Sequence, residues 1–278
     1  MYIPKVISSG SLKIDLMLGT GGFPLGQFIE IYGDTSVGKS SLILSSIRDY
    51  GEVSLYIDTE RKFDLNYAKE MGIGSDQIVL LQDSNVLSIV DSIRELIGSG
   101  IRYVAVDSIE CITNGDETKH SQAVYQFFSE LSQLLNGEVC LVISNQIRMD
   151  FKAMSLIAPG GPARSFYPAI VLELSHAQTI RDKNQAFTGY KIRVDAKKNR
   201  FGRTGSSELE IYYNQGTNND IELVDLATEK GIIKLHGRWY YYNDMCLGEG
   251  RKAASEYLAS IPLKDTILNQ VIERGIVI

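Results

Sequence analysis

The run Gly33-Asp34-Thr35-Ser36-Val37-Gly38-Lys39-Ser40 meets every constrained position of the phosphate-cradling pattern G-x-x-x-x-G-K-[ST]. Phe28 to Tyr32 ahead of it reads as a buried strand, and Ser41 to Ile47 behind it as the apolar start of a helix. A strand, a glycine loop and a helix N-terminus in that order aim several backbone N–H groups at one point, and the positive end of the helix dipole strengthens the field there. Such a point suits a polyphosphate. Lys39 would reach the β- and γ-phosphates, and the Ser40 hydroxyl would ligate Mg²⁺. The alternative is an ordinary strand–turn–helix rich in small residues, which the correct flanks on both sides disfavour. A nucleoside triphosphate is the expected ligand.

Three other apolar runs end in groups that could serve it. Tyr103-Val104-Ala105-Val106 ends in Asp107, and a carboxylate at the carboxyl end of a buried strand could hold Mg²⁺ through water beside the phosphates. Val53 to Ile57 runs into Asp58-Thr59-Glu60, where Glu60 is either a base that orients a water towards the γ-phosphate or a solvated loop carboxylate. Val139 to Ser144 ends in Asn145-Gln146, whose amides could bond the γ-phosphate and register its loss.

The elements that must position these groups alternate along the chain. Strands are expected at Val53–Asp58, Gln77–Leu81, Tyr103–Asp107, Val139–Ser144 and Ile170–Ser175, with helices at Asp64–Met71, Val86–Ile97 and Ser121–Leu135 between them. That order predicts an α/β fold with a mostly parallel twisted sheet covered by helices on both faces. From Tyr190 the texture changes to two alternating strands, Tyr190–Ala196 and Glu208–Tyr213, which read as an antiparallel extension. Beyond about Asn218 a small α/β unit is expected, with a Trp239–Tyr242 strand and helices from Arg251 and Lys264. The division is therefore a core over 1–217 and a small C-terminal α/β domain over 218–278.

Composition narrows the class without naming a function. A chain of 278 residues with 44% hydrophobic content can bury a substantial core, and no apolar run approaches the roughly 20 residues of a membrane span. The opening Met1-Tyr2-Ile3-Pro4-Lys5 lacks the regions of a signal peptide, so a cytoplasmic protein is expected. Cys111, Cys140 and Cys246 are odd in number and widely spaced, which argues against a disulfide framework and against a zinc site. His120, His176 and His236 lack metal-ligand spacing and read as surface or structural residues. A net charge of −6 disfavours a surface basic all round, but leaves room for a local nucleic-acid groove.

Taken in order, these residues resemble the RecA family of DNA recombinases over almost the whole chain. The resemblance is carried by Ser9-Gly10-Ser11-Leu12-Lys13-Ile14-Asp15, by Gly21-Gly22-Phe23-Pro24-Leu25-Gly26, and by Glu30-Ile31-Tyr32-Gly33 with the phosphate loop. Tyr56-Ile57-Asp58-Thr59-Glu60, Val106-Asp107-Ser108, Asn145-Gln146-Ile147-Arg148-Met149, Gly160-Gly161, Phe166-Tyr167 and Lys198-Asn199-Arg200 continue it. Glu222-Leu223-Val224-Asp225 and Trp239-Tyr240 take it into the C-terminal domain. The resemblance implies that Glu60 is the general base and Gln146 the sensor of the γ-phosphate. It implies nucleotide contacts from Ser41, Asp64, Tyr67 and Tyr213, and that Lys198 and Arg200 reach a neighbouring subunit's ATP in the manner of an arginine finger. ATP turnover would then depend on head-to-tail assembly.

The loop Met149–Pro159 carries Phe151, Met154, Leu156 and Ile157 beside Arg148 and Lys152. Large apolar side chains there could wedge between bases while the cations meet phosphates; the alternative is a buried connector. With Gly160, Gly161 and Arg193, this loop makes the expected DNA contacts. The stretch holding Lys191, Arg193, Lys197, Lys198, Arg200 and Arg203 has one acid, Asp195, and reads as a basic strip or a solvated hairpin.

The chain also departs from the pattern. Only Met1–Ser8 precede the region matching Ser9, so the usual polymerisation segment is expected to be absent or reduced to a strand around Tyr2-Ile3. The first DNA loop, Asn114 to His120, is acidic to neutral, Gln126 and Gln133 stand where basic contacts are expected, and Ser175-His176 stands where an arginine pair is common. Each lost phosphate contact lowers affinity and flattens its salt dependence. Two functions follow as expectations. One is a compact DNA-dependent ATPase, of phage or mobile-element type, that coats single-stranded DNA as a homo-oligomer or filament and pairs it with duplex DNA. The other is a regulatory or mediator module that binds ATP and a partner protein without strand exchange. A hexameric helicase shares the core but would need a further domain that the sequence lacks.

Overall fold

The computed structural model describes residues 5–116, 119–135, 137–150, 155–157, 159, 161–182 and 184–275, with 148–150 and 155–157 given as backbone. In chain order the elements begin with β1 (Val6–Ile7), α1 (Leu12–Leu18), β2 (Phe23–Pro24), β3 (Gln27–Gly33) and α2 (Lys39–Tyr50). Then come β4 (Ser54–Asp58), α3 (Leu65–Glu70), β5 (Ile78–Leu81), α4 (Val86–Gly98), β6 (Tyr103–Asp107), α5 (His120–Ser132) and β7 (Cys140–Gln146). A short pair, β8 (Arg148–Asp150) and β9 (Ser155–Ile157), precedes α6 (Gly161–Phe166), β10 (Ile170–Arg181), β11 (Phe187–Asn199) and β12 (Ser206–Tyr212). The chain closes with α7 (Asn219–Glu229), β13 (Ile233–His236), β14 (Trp239–Tyr242), β15 (Met245–Glu249), α8 (Arg251–Ser260) and α9 (Lys264–Gly275).

One sheet of eight strands, in the order β12-β11-β10-β3-β7-β6-β4-β5, forms the core. From β10 to β5 its neighbours are parallel, and β11 and β12 add antiparallel strands at one side. The expected α/β class holds. Strand alternation sorts the apolar side chains onto two faces. Ile29, Tyr56, Ala105 and Val142 pack beneath α2 on one face, and Phe28, Leu55, Ile57, Val104 and Ile143 on the other. That second face is covered by α4 through Val86, Ile89, Val90 and Ile93, spaced as one stripe of a helix, and by α5 through Ala123, Val124, Phe127, Phe128 and Leu131.

Register carries the functional consequence. Gly33 lies opposite both Gln146 and Leu174, and Asp58 lies opposite Asp107, so the carboxyl ends of β3, β7, β6 and β4 share one edge. In open α/β sheets that edge is where ligands bind.

The last part of the chain is built around its own apolar cluster of Leu223, Val224, Tyr242, Leu247, Leu258, Ile267 and Val271, against which Leu12 and Leu16 of α1 also pack. The Trp239–Tyr242 strand and the helices from Arg251 and Lys264 are present, and β14 is flanked by β13 and β15 in an antiparallel sheet. The β14–β15 turn is Asn243-Asp244, with Asn243 at φ 52°, the left-handed conformation that a two-residue hairpin requires. Buried carboxylates tie this unit to α1. Glu222 accepts from Ser11 Oγ at 2.8 Å and from the Lys13 amide at 2.9 Å, and Lys13 Nζ pairs with Asp225 at 3.1 Å. Burial is the main cause that pushes Glu222 up to about 7 and Asp15 of α1 up to about 6, against the hydrogen bonds each accepts.

Candidate nucleotide-binding site

The loop after β3 closes with Gly38 at φ 102°, directly ahead of the first residue of α2. That positive φ calls for glycine, and a Cβ there would in addition push against the Ile211 Cδ1 methyl at 2.6 Å. Lys39 folds back over the loop, its Nζ donating to Gly33 O at 3.1 Å and Asp34 O at 2.7 Å. Burial holds its ammonium below the usual lysine range, with Asp107, Asp34 and Glu60 acting the other way. A cation bonded only to neutral carbonyls, beside a helix N-terminus, is suited to an anion.

Next to it, Asp107 at the end of β6 gathers three hydroxyls. Ser40 Oγ donates to its Oδ2 at 2.6 Å and Tyr56 OH to the same oxygen at 2.5 Å, while Ser144 Oγ donates to Oδ1. Glu60, past the end of β4, is the second carboxylate of the site. Its Oε1 accepts from Ser108 Oγ at 2.9 Å and Gln146 Nε2 at 3.2 Å, and its Oε2 from Lys62 Nζ at 2.5 Å. Burial works to raise the Glu60 pKa but is outweighed by the bonds from Lys62, Ser108 and Gln146 with the Lys62 charge, which leave it below the usual carboxylate range. Gln146 is bonded at its other end as well, its Oε1 accepting from Thr35 Oγ1 at 3.2 Å. One side chain thus spans the phosphate loop and the candidate base.

These groups line a cavity of about 420 Å³ that continues past Ser41 to Asp64, Tyr67, Tyr190 and Tyr213. Asp64 caps α3, accepting from the amides of Asn66 at 2.8 Å and Tyr67 at 3.3 Å. The Tyr67 hydroxyl lies 2.9 Å from Ser41 Oγ. Sequence reasoning missed Thr35's tie to Gln146, Ser108, Ser144, Lys62 and Tyr190. Thr35, Ser108 and Ser144 become partners only when separate strand ends meet, Lys62 pairs with Glu60 two residues away without belonging to a motif, and Tyr190 carries no motif.

Other expected residues lie away from the cavity. Lys198 Nζ donates to Ser165 O at 2.8 Å and Arg200 Nη2 to Phe166 O at 2.5 Å, both at the end of α6. Burial, then the Arg200 charge, lowers the Lys198 pKa. The basic strip is largely paired: Lys191 with Glu208 at 2.6 Å, Arg193 with Asp195 at 3.1 Å and Lys197 with Glu173 at 2.6 Å. Arg148 and Met149 fall in β8, which pairs antiparallel with β9, and Gly161 opens α6. Phe151, Lys152, Met154 and Gly160 lie outside the described residues, as does the expected strand around Tyr2-Ile3.

A hard cation fits the donor set here. Ser40 and Asp107 offer one hydroxyl and one carboxylate 2.6 Å apart, all oxygen, leaving further positions to phosphate oxygens and water. Among the described residues no cluster of three or more His, Cys, Asp or Glu could hold a metal alone, and no helix is long and apolar enough to cross a membrane. Fold and loop together make this an α/β protein of the phosphate-loop class. Residues 3–218 match the RecA N-terminal domain and residues 221–274 the RecA C-terminal domain, and the chain belongs to the RecA family. It is 33% identical over 277 residues to Protein RecA of Paracoccus denitrificans, covering 93% of this chain and 78% of the relative. Protein RecA of Leptospira biflexa is 31% identical over 287 residues, with 96% and 74% covered. Protein RecA of Halalkalibacterium halodurans is 32% identical over 277 residues, with 93% and 79% covered. ATP binding and a part in DNA recombination and repair follow from the family. These relatives are bacterial and lend no support to a phage source.

Proposed function

We propose that the chain is a single-stranded-DNA-dependent ATPase that assembles head to tail on DNA in the cytoplasm and promotes homologous pairing and strand exchange. The observation that carries this reading is the single constellation of Lys39, Ser40, Asp107, Glu60 and Gln146 at one sheet edge, while Lys198 and Arg200 lie outside that cavity. Backbone amides of Gly33 to Ser41 and the Lys39 ammonium bind the triphosphate, and Asp64, Tyr67 and Tyr213 hold the nucleoside. Mg²⁺, held by Ser40 and Asp107, supplies charge neutralisation on the phosphates. Glu60 orients a water and takes its proton as the water oxygen bonds to the γ-phosphorus and the bond to the β-bridging oxygen breaks, releasing ADP and phosphate. Gln146 exchanges its bond to Glu60 for one to the γ-phosphate, and β7 passes that change to the β8–β9 segment that follows it. Arg148, Met149, Phe151, Lys152, Met154, Gly160, Gly161 and Arg193 make the DNA surface. Lys198 and Arg200 stabilise charge in the next protomer's site, where each finished active site needs two chains.

A second reading rests on the acid pairing of Lys191, Arg193 and Lys197, which reduces the free positive charge for DNA. It is a RecA-like mediator that binds ATP and another protein without strand exchange. Steady-state hydrolysis with and without single-stranded DNA, across protein concentration, separates the two. The recombinase reading expects a rate that rises with DNA and more than linearly with protein. A slow rate indifferent to both would replace it with the mediator.

A further inference from the structure

The nucleoside end of the cavity has an aromatic wall to which Tyr190 contributes beside the expected Tyr67 and Tyr213. Tyr190 of β11 lies opposite Ile211 of β12 and turns its ring onto the phosphate loop, its Cε2 only 3.5 Å from where a Cβ on Gly38 would stand. That ring is half-buried and lines the same cavity as Lys39 and Glu60. Tyr213 meets it at 5.7 Å between ring centroids and 90° between planes. Phe187, at the start of β11, backs Tyr213 at 5.0 Å and reaches Tyr190 at 6.3 Å. Tyr213, which lines the cavity, is 44% exposed, and Phe187 behind it is 42% exposed, a contiguous patch of open aromatic surface at the mouth of the site.

Two perpendicular rings make a corner. A flat heterocycle laid against one ring face there meets the other ring along its edge, the arrangement that aromatic quadrupoles favour. We propose that Tyr190 is a nucleoside-positioning residue of this chain, forming with Tyr213 an aromatic corner, backed by Phe187, that holds the base and sugar of ATP. Because the Tyr190 ring stands over the side of Gly38 where a Cβ would project, it sets the spacing between the base end and the phosphate cradle, so that a bound triphosphate tail falls in line with Lys39. The inference rests on the reading that this cavity binds ATP.

The test is the KM and kcat of ATP hydrolysis for the wild type and for Tyr190→Ala, Tyr190→Leu and Tyr190→Phe, with single-stranded DNA present. Stacking against an aromatic side chain is worth about 1–3 kcal/mol per base, so Tyr190→Ala and Tyr190→Leu should raise KM about tenfold with kcat largely kept. Tyr190→Phe keeps the ring and should keep KM. A purely structural role would lower kcat through loss of active protein and leave KM in place. Tyr190→Leu, which preserves bulk, covers the case in which the alanine variant does not fold. KM within about twofold of wild type in Tyr190→Leu overturns the inference while leaving the ATP reading intact. A wild type that hydrolyses no ATP overturns both.

Discussion

Glu60→Gln should bind ATP as the wild type does and hydrolyse it at least about a hundredfold more slowly, the lower end of what a positioned general base contributes. The amide keeps the size of the side chain and can still accept from Ser108 Oγ, which lies 2.9 Å from Glu60 Oε1. It cannot take a proton from water. The lowered pKa of Glu60 means that the wild-type group is ionised throughout the neutral range, so the loss reflects the missing base and not a changed protonation state. The pairing with Lys62 is partly screened, since Lys62 is 76% exposed, and its loss alone would shift binding little. Equilibrium ATP binding and steady-state turnover on the same preparation check the prediction. Turnover within about tenfold of wild type would move the base to another residue of the cavity.

The second large effect is on stability. Arg164→Ala should destabilise the fold by about 3–5 kcal/mol, the cost of leaving one member of a buried ion pair alone. Glu30 stands on β3 among the residues facing α5 and α6, with only 2% of its side chain exposed, and Arg164 of α6 pairs with it through Nε. Asn145 Nδ2 donates to Glu30 at 3.0 Å and to Pro159 O at 3.0 Å, and the Arg164 guanidinium lies 4.5 Å from the centre of the Tyr32 ring. Burial already raises the Glu30 pKa, with Arg164 as the largest opposing influence. Removing Arg164 lifts that folded-state pKa further above the unfolded one. The variant's deficit is therefore largest at pH values above the raised pKa and shrinks as pH falls towards the ordinary glutamate range. Denaturant midpoints at neutral and mildly acidic pH measure this. The double variant Glu30→Leu with Arg164→Met should recover most of the stability, because it removes both charges together. A single variant within about 0.5 kcal/mol of wild type at both pH values would mean the pair is not a stabilising element.

The chemistry-bearing residues were legible because each stands at a sequence punctuation. Ser40, Asp107, Glu60 and Gln146 follow apolar runs, and in a parallel sheet the ends of such runs converge on one edge. The core strands and the helices between them were legible from the same runs, to within a few residues at their ends. What stayed hidden depends on partners distant in sequence. The apolar run Ile170–Ser175 reads as a short strand, yet β10 continues to Arg181 as a two-stranded ribbon with β11, where the exposed residues give no apolar signal. The strip from Lys191 to Arg203 reads as a basic strip or a solvated hairpin in the sequence because its acidic partners Glu208 and Glu173 come from neighbouring strands. Helix α1 buries Ile14 and Leu18 in the core of the large sheet and turns Leu12 and Leu16 to the C-terminal unit, so the latter two had no visible partner in the sequence. Tyr190 looked like one more alternating strand residue, and only the fold turns it towards Gly38.

Mixing two inactive variants tests most directly whether one ATP site needs two protomers. Glu60→Gln lacks its own base but keeps Lys198 and Arg200, whereas the double variant Lys198→Ala with Arg200→Ala keeps a base and lacks the cations. Each alone should be nearly inactive with single-stranded DNA. Mixed in equal amounts on DNA, they should regain about a quarter of wild-type hydrolysis, because random neighbours complete roughly one site in four when a site draws on two chains. No recovery on mixing, or a Lys198→Ala, Arg200→Ala variant that hydrolyses ATP like the wild type, would contradict a site shared between protomers.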